Sequence, residues 1–247
     1  MPRLAREKSN SEIYHVMLRG LDKRDIFLEK TDYQRFLKAI QKAKEKSAFD
    51  IYAYCLMTNH VHILIKSESE DVGDVLRRIA VSYAMYHNYK YGRIGHLFQN
   101  RFKSEPVGND RQFLSVLRYI HQNPLKAGLV SNLASYPWSS YFEYIGSDEM
   151  NIVNTSFALN QFSSINSFIN FIMDNNEDAY MEHEIRSVYS DKNLLEIISS
   201  ISDINKMHEM NISNRNKELR KIRERTKASN RQLSRVLNIG RGILDRV

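Results

Sequence analysis

The sequence predicts an α+β fold, in which a ferredoxin-like antiparallel sheet carries packed helices and a helical extension follows at the C-terminal end. Three observations predict it. Segments rich in β-branched and aromatic residues alternate with helical patterns in the order β-α-β-β-α-β, which is the order of a ferredoxin-like sheet. Another helical pattern with an apolar stripe follows the last strand. Beyond residue 150, helical patterns continue with a different balance of charge.

Each element of the sheet region has a local signal. Asp32 and Asp110 lie near predicted helix starts, where carboxylates are favoured. Pro124 and Gly128 mark the predicted exit of the last helix. The predicted elements are a strand at 13–20, a helix at 31–47, strands at 49–57 and 60–67, a helix at 73–90, a loop at 91–100, a strand at 101–108 and a helix at 110–123.

Net charge divides the chain into a domain of residues 1–150, an acidic helical spacer of residues 151–213 and a basic segment of residues 214–247. Their net charges are +5, −6 and +8. In the basic segment, a short capped helix at 229–237 and a turn at 238–240 outline a helix-turn-helix. Two basic zones indicate contact with a polyanion such as DNA. The alternative for the last segment is a basic helical hairpin that packs on a partner protein.

Composition limits the class of protein. No apolar run approaches the length needed to cross a bilayer, and the first residues lack the apolar core of a signal peptide. A single cysteine, Cys55, excludes an internal disulfide and suits a reducing compartment. We therefore expect a cytoplasmic protein that has no membrane partner.

Two histidines on one predicted strand are the strongest candidates for chemistry. Side chains alternate along a strand, so His60 and His62 point to one face and can hold one divalent metal ion. A pair at this spacing also arises by chance in a chain with eight histidines, so hydrogen-bonded structural histidines are the alternative. On the last predicted helix, Asn123 lies four residues after Tyr119 and can offer a third ligand beside the tyrosine hydroxyl.

The place of Tyr119 on its helix favours a role as a nucleophile. Phe113, Leu117 and Ile120 form the predicted buried stripe. Tyr119 and Asn123 lie together at its edge, where we expect both to escape burial. A tyrosine hydroxyl ordinarily ionises at about pH 10, so a metal and nearby cations must favour its ionisation. A metal next to a tyrosine suggests covalent phosphodiester chemistry.

Cations beside flexible backbone or aromatic residues are the candidate DNA contacts. The loop before the last strand contains Arg93 and His96, Arg101 and Lys103 follow it, and Arg19 ends the first strand. Such a mixture can follow a phosphate backbone and stack on bases, although an ordinary solvated loop is the alternative. In the basic segment the candidates are Arg231, Gln232, Arg235 and Arg241.

Five motifs occur in an order that resembles the HUH transposases of single-stranded DNA with one tyrosine. The closest branch is the one associated with repetitive extragenic palindromes (REPs). The resemblance covers roughly residues 1–145, judged by motif order. Its motifs are Tyr14-His15-Val16 with Arg19-Gly20, Ala53–His62, Gly95–Lys103, Arg118–Val130 and Tyr136–Tyr141.

The resemblance implies a ferredoxin-like fold, a Mg or Mn ion on His60 and His62, and Tyr119 as the nucleophile. Asn123 is then the third protein ligand. The implied activity is nicking and rejoining of single-stranded or hairpin DNA through a 5′-phosphotyrosine intermediate. Thr58 stands where this branch usually has proline, which we interpret as a local change of turn that leaves the metal face intact.

Two other functions remain open at this point. One is a non-catalytic DNA-binding regulator derived from a transposase, which would use the basic segment. The other is an RNA binder of the RRM kind, which is disfavoured because RRM sheets carry aromatic motifs on their central strands. The sequence also leaves open whether the protein is a monomer or a homodimer, with Tyr119 acting in its own chain or across the dimer.

Overall fold

The computed structural model describes residues 9–146, 151–176, 178, 180, 191–204, 207, 210–226, 228 and 230–244, and only the backbone at 191–193, 231 and 241. The chain forms two compact units, residues 1–181 and residues 182–247. No helix in the described ranges combines the length and the apolarity needed to cross a bilayer.

Four antiparallel strands form the sheet of the first unit, in the order β2-β3-β1-β4. This order confirms the predicted ferredoxin-like sheet. The edge strand β4 is shorter than predicted and ends at Pro106, whose nitrogen cannot donate a ladder hydrogen bond. The strands are β1 (Ile13–Arg19), β2 (Asp50–Met57), β3 (His60–Lys66) and β4 (Lys103–Pro106).

Helices cover both faces of the sheet. Along β3, Val61 and Ile63 belong to the core beneath α1 and α2, whereas Leu64 belongs to the core beneath α3. His60 and His62 share the alternation of Leu64, so they face α3. The helices of this unit are α1 (Lys30–Lys44), α2 (Val72–Lys90), α3 (Asp110–Lys126), α4 (Tyr141–Tyr144), α5 (Ser156–Leu159) and α6 (Ile165–Met173).

The helix that carries Tyr119 is longer than predicted. The Asn109 side chain accepts a hydrogen bond from the Gln112 N–H and caps its start. The helix then continues through Pro124 to Lys126. Pro124 has no N–H, so the helix lacks the backbone hydrogen bond that this position would otherwise donate to the Ile120 carbonyl. Gly128 follows with a φ of 68°, a left-handed conformation that ends helices and suits glycine.

The second unit has an apolar core of its own, in which α7 packs with the basic helices. The division drawn from net charge places α7 in the acidic spacer, but a compact unit is defined by shared apolar burial rather than by charge. The turn before the last helix includes Asn238 with a φ of 52°. The helices are α7 (Asp191–Ile201), α8 (Ile212–Thr226), α9 (Asn230–Leu237) and α10 (Arg241–Leu244). The core residues include Leu194, Ile198, Leu219, Ile222, Leu233, Leu237 and Leu244.

Candidate active site

His60 and His62 lie side by side at the start of β3, with ring centroids 5.0 Å apart. His60 is 9% exposed and His62 is fully buried. The Nδ1 atom of His60 contacts Asn59 Oδ1 at 2.6 Å. The Nε2 atom of each ring has no hydrogen-bond partner among the described residues. Buried polar atoms are normally paired, so these two nitrogens do not fit the alternative of fully satisfied structural histidines.

Both histidines are neutral at pH 7. Burial, with a smaller contribution from the charge of Arg19, lowers the pKa of His60 to about 4. Burial also lowers the pKa of His62 well below its usual value, with smaller contributions from neighbouring histidines and Arg19. Neutral imidazole is the form that binds a metal ion, so the two Nε2 atoms suit a divalent cation.

Tyr119 meets these histidines from α3 within the same chain. Its ring approaches the His62 ring edge-on, with centroids 5.5 Å apart and an angle of 88° between the planes. The Lys126 ammonium lies 5.4 Å from the centroid of the tyrosine ring. One turn along the helix, Asn123 donates from Nδ2 to the Tyr119 carbonyl at 2.9 Å. Its Oδ1 atom is then the group that can serve as a ligand.

The expectation that Tyr119 and Asn123 escape burial is wrong. Tyr119 is 2% exposed and Asn123 is 4% exposed. The reason is a long-range contact that helical periodicity does not contain. Tyr180, which follows α6 in the chain, places its ring edge-on to the Tyr119 ring at a centroid distance of 5.4 Å.

Polar contacts hold this covering segment to α3. We call its described residues, 174–176, 178 and 180, the cover segment. Arg118 donates two hydrogen bonds to one carboxylate oxygen of Asp178, at 3.0 and 2.8 Å. Gln122 donates to a backbone carbonyl of the segment at 3.0 Å, and the Tyr180 hydroxyl donates to Ser115 at 2.8 Å. The candidate nucleophile is therefore covered by a hydrogen-bonded segment.

Two of the candidate DNA contacts lie on the histidine face. Arg19 is directly opposite His60 in the pairing of β1 with β3. Lys103 is opposite Met17, which is itself opposite His62. Directly paired residues of antiparallel strands share a face, so the two cations lie on the same side of the sheet as the histidines.

The other candidates of the first unit lie on the α2 side. His96 and Arg101 line a cavity of about 510 Å³ together with Leu76, which belongs to the core beneath α1 and α2. The Arg93 backbone N–H donates to the Asn88 carbonyl of α2 at 2.9 Å. These residues therefore lie on the α2 side, although the backbone of their loop pairs with the end of β1, where the Gln99 N–H donates to the Arg19 carbonyl at 2.8 Å.

The tail candidates lie in the second unit. Gln232 is half-buried and Arg235 is exposed, both on α9. The side chains of Arg231 and Arg241 and the first residue of the predicted helix, Ser229, lie outside the described residues. Base reading by this group stays a prediction.

The sequence analysis did not assign a role to His15, although strand alternation could have placed it. It lies on β1 two and four residues before Met17 and Arg19, on the histidine face. It is fully buried, and its ring stacks on that of His62 at a centroid distance of 5.2 Å. Burial lowers the pKa of His15 to about 3. Tyr180 was also missed, because no local pattern marks it.

Comparison with known proteins gives relatives of one kind. The family model described as "Transposase IS200 like" matches residues 8–123. A putative REP-associated tyrosine transposase of Haemophilus influenzae is 27% identical over 125 residues, which cover 45% of this chain and 70% of that protein. The REP-associated tyrosine transposase of Escherichia coli is 26% identical over 113 residues, which cover 45% of this chain and 66% of that protein.

A solved structure shows a similar fold. It is described as a REP-associated tyrosine transposase bound to a REP hairpin, and it covers 62% of this chain and 92% of its own. The TM-score is 0.51 at 22% sequence identity. Residues 8–123 of this chain therefore resemble the IS200-like transposase family.

Proposed function

We propose that this chain cuts and rejoins single-stranded, hairpin-forming DNA with Tyr119 as the nucleophile. The observation that carries the proposal is the edge-on contact of Tyr119 with His62 inside one chain. Beside it lie two imidazole nitrogens that no described protein group satisfies. The match of residues 8–123 to a transposase family model supports DNA as the substrate. The hairpin is proposed from the description of the structural relative.

In this proposal His60, His62 and Asn123 hold a Mg or Mn ion. Two imidazoles alone favour softer metals, but an amide oxygen, water and phosphate oxygens make a harder ion suitable. No group of three or more His, Cys, Asp or Glu side chains in the described ranges is arranged to hold a metal. The ion, when bound, withdraws negative charge from the non-bridging oxygens of the phosphodiester.

The side chains of the protein carry out the exchange of bonds. Attack of the Tyr119 oxygen on phosphorus forms a 5′-phosphotyrosine bond and breaks the bond to the 3′ oxygen of the preceding nucleotide. The phenol loses a proton and the departing 3′ oxygen gains one. Lys126, near the tyrosine ring, and Arg19, opposite His60, supply positive charge that favours the phenolate and binds the phosphate. Attack by a second 3′-hydroxyl reverses the step and rejoins DNA without ATP.

The burial of Tyr119 favours one competing function. A tyrosine that is 2% exposed reacts with DNA only if the cover segment is displaced. A protein whose cover never opens would bind DNA without cutting it, which is the non-catalytic regulator. The two functions differ in whether a covalent adduct forms.

Trapping of adducts decides between them. The protein is incubated with a library of 3′-labelled single-stranded hairpins in Mg²⁺ or Mn²⁺, and adducts are resolved under denaturing conditions. We expect an adduct with the unmodified protein and its loss, by at least about a thousand-fold, in Tyr119→Phe, which keeps the ring but lacks the nucleophile. Tyr180→Phe is the matched control in the same cluster and should still form the adduct.

Each outcome has a distinct meaning. Full adduct formation by Tyr119→Phe would remove the nucleophile assignment. Tight hairpin binding by the unmodified protein, with no adduct in either metal, would favour the regulator.

A further inference from the structure

A hydrogen bond joins His15 on β1 to His62 on β3. The Nε2 atom of His15 lies 3.0 Å from the Nδ1 atom of His62. His15 is fully buried, and the ring planes of the two residues differ by 28°. The contact therefore fixes both the position and the plane of the His62 ring.

A contact between two ring nitrogens at this distance holds one proton, on one of the two atoms. If the proton is on His62 Nδ1, the Nε2 atom of this neutral ring carries a lone pair. If the proton is on His15 Nε2, the neutral His62 ring must carry its own proton on Nε2, which then cannot bind a cation. The direction of this one hydrogen bond thus decides whether His62 can act as a ligand.

We propose that His15 is a positioning residue that accepts a hydrogen bond from His62 Nδ1–H and so directs the Nε2 lone pair of His62 to the metal. The inference rests on the proposed metal at His60 and His62. Metal-binding histidines commonly donate their second ring N–H to an acceptor that fixes the tautomer and the ring orientation. A carboxylate or a carbonyl usually provides that acceptor, and here another imidazole provides it.

The packing around His15 supports this role. Its ring meets Tyr119 edge-on at 5.7 Å and Tyr180 edge-on at 6.0 Å, measured between centroids. These aromatic rings lock the imidazole against rotation. His60 differs, since its Nδ1 atom contacts the side chain of the neighbouring Asn59. Each proposed histidine ligand therefore has a different partner on its second nitrogen.

Mn²⁺ affinity measured by electron paramagnetic resonance of the free ion tests the proposal. We expect His15→Phe, which keeps a ring but offers no acceptor, to weaken Mn²⁺ binding by about 10- to 100-fold. His15→Gln should recover most of the affinity, because its side-chain carbonyl can accept the bond. His121→Phe is the matched control: His121 is equally buried, and it contacts Ser140 at 2.9 Å, away from His62.

The results separate this inference from the proposed function. Normal Mn²⁺ binding by a folded His15→Phe protein would overturn the role of His15 and leave the metal site in place. Absence of Mn²⁺ binding by the unmodified protein would overturn both. If His15→Phe does not fold, ¹⁵N NMR of histidine-labelled, Mg²⁺-saturated unmodified protein reads the tautomer directly. A proton on His62 Nδ1 supports the proposal, and a proton on Nε2 overturns it.

Discussion

The two faces of the β-sheet differ in how completely their buried polar groups are hydrogen-bonded. On the α1 and α2 face, the fully buried Asp32 accepts hydrogen bonds from the backbone N–H groups of Leu28 and Glu29, from Lys90 and from Tyr91. On the α3 face, His60 and His62 each keep an unpartnered Nε2 atom within the described chain. Protein groups provide the hydrogen bonds of Asp32, whereas the two Nε2 atoms are left for a ligand.

The difference shows which buried polar groups have a structural role. Burial alone would raise the pKa of Asp32, but hydrogen bonds from Lys90, Tyr91 and the backbone lower it to about 2. His87 on α2 also has unpartnered ring nitrogens, yet its neighbours include Tyr83 and Tyr91, and no other histidine is found near it among the described ring contacts. Unpartnered nitrogens on neighbouring rings, rather than those of one isolated ring, distinguish the candidate site.

Among the variants that compare the two faces, the largest effect is expected for His60→Leu. This change removes a buried nitrogen that has no partner and replaces the imidazole with an apolar side chain of similar size. We expect cleavage to fall at least about a hundred-fold, while the free energy of unfolding stays within about 1 kcal/mol. Denaturant unfolding and adduct formation measure the two quantities. A large loss of stability with normal cleavage would assign His60 to the structure.

Asp32→Asn should show the reverse pattern. The amide loses the charge that pairs with Lys90, so we expect the free energy of unfolding at pH 7 to fall by about 2 kcal/mol with little effect on cleavage. Because the pKa of Asp32 is depressed to about 2, its stabilisation is full above its ordinary pKa of 3.8 and is lost as the pH falls towards 2. The free energy of unfolding of the variant should lack this part of the dependence on pH. A variant whose unfolding depends on pH as the unmodified protein does would contradict the structural role of Asp32.

Asp178→Asn tests whether the cover segment limits the access of DNA to Tyr119. The Arg118–Asp178 pair is partly buried over the tyrosine helix, and weakening it by about 1 kcal/mol should favour opening. The initial rate of adduct formation should then rise about five-fold. Asp74→Asn, in the exposed Asp74–Arg77 pair on α2, is the matched control and should change nothing. An unchanged or slower rate in Asp178→Asn would mean that the cover does not limit access.

The smallest effect is expected for the salt dependence of DNA binding by the basic helix α8. Replacing the exposed Lys217, Lys221 and Arg225 of α8 with alanine should flatten the salt dependence of DNA binding. Each lost phosphate contact lowers the slope of log K against log salt by up to about 0.7 for a single strand. Cleavage of a short, saturating hairpin should survive, because Tyr119 and all proposed metal ligands lie in the first unit.

The control for this prediction is a triple alanine variant at positions of the same spacing near α1. Lys38, Lys42 and Lys46 are exposed and lie on the opposite face of the sheet from the histidines. Binding isotherms at two salt concentrations compare the two variants. Identical slopes for the α8 variant and the unmodified protein would indicate that the basic segment serves a protein partner or the fold.

Local periodicity was enough to predict the sheet and to place the candidate site residues on their strand and helix. The two-residue period of a strand placed His60 and His62 on one face, and the four-residue spacing on a helix placed Asn123 one turn after Tyr119. Element order predicted the ferredoxin-like sheet. These predictions held because each depends on backbone geometry within a few residues.

The tertiary structure alone decided which distant groups meet. The His15–His62 hydrogen bond joins strands that are far apart in the sequence, and Tyr180 covers Tyr119 from beyond α6. Charge suggested a boundary at residue 150, whereas the apolar core of the first unit includes residues beyond it, as far as Tyr180. Periodicity shows which side of an element is apolar, but not which other element will cover it, because that choice depends on the packing of the whole chain.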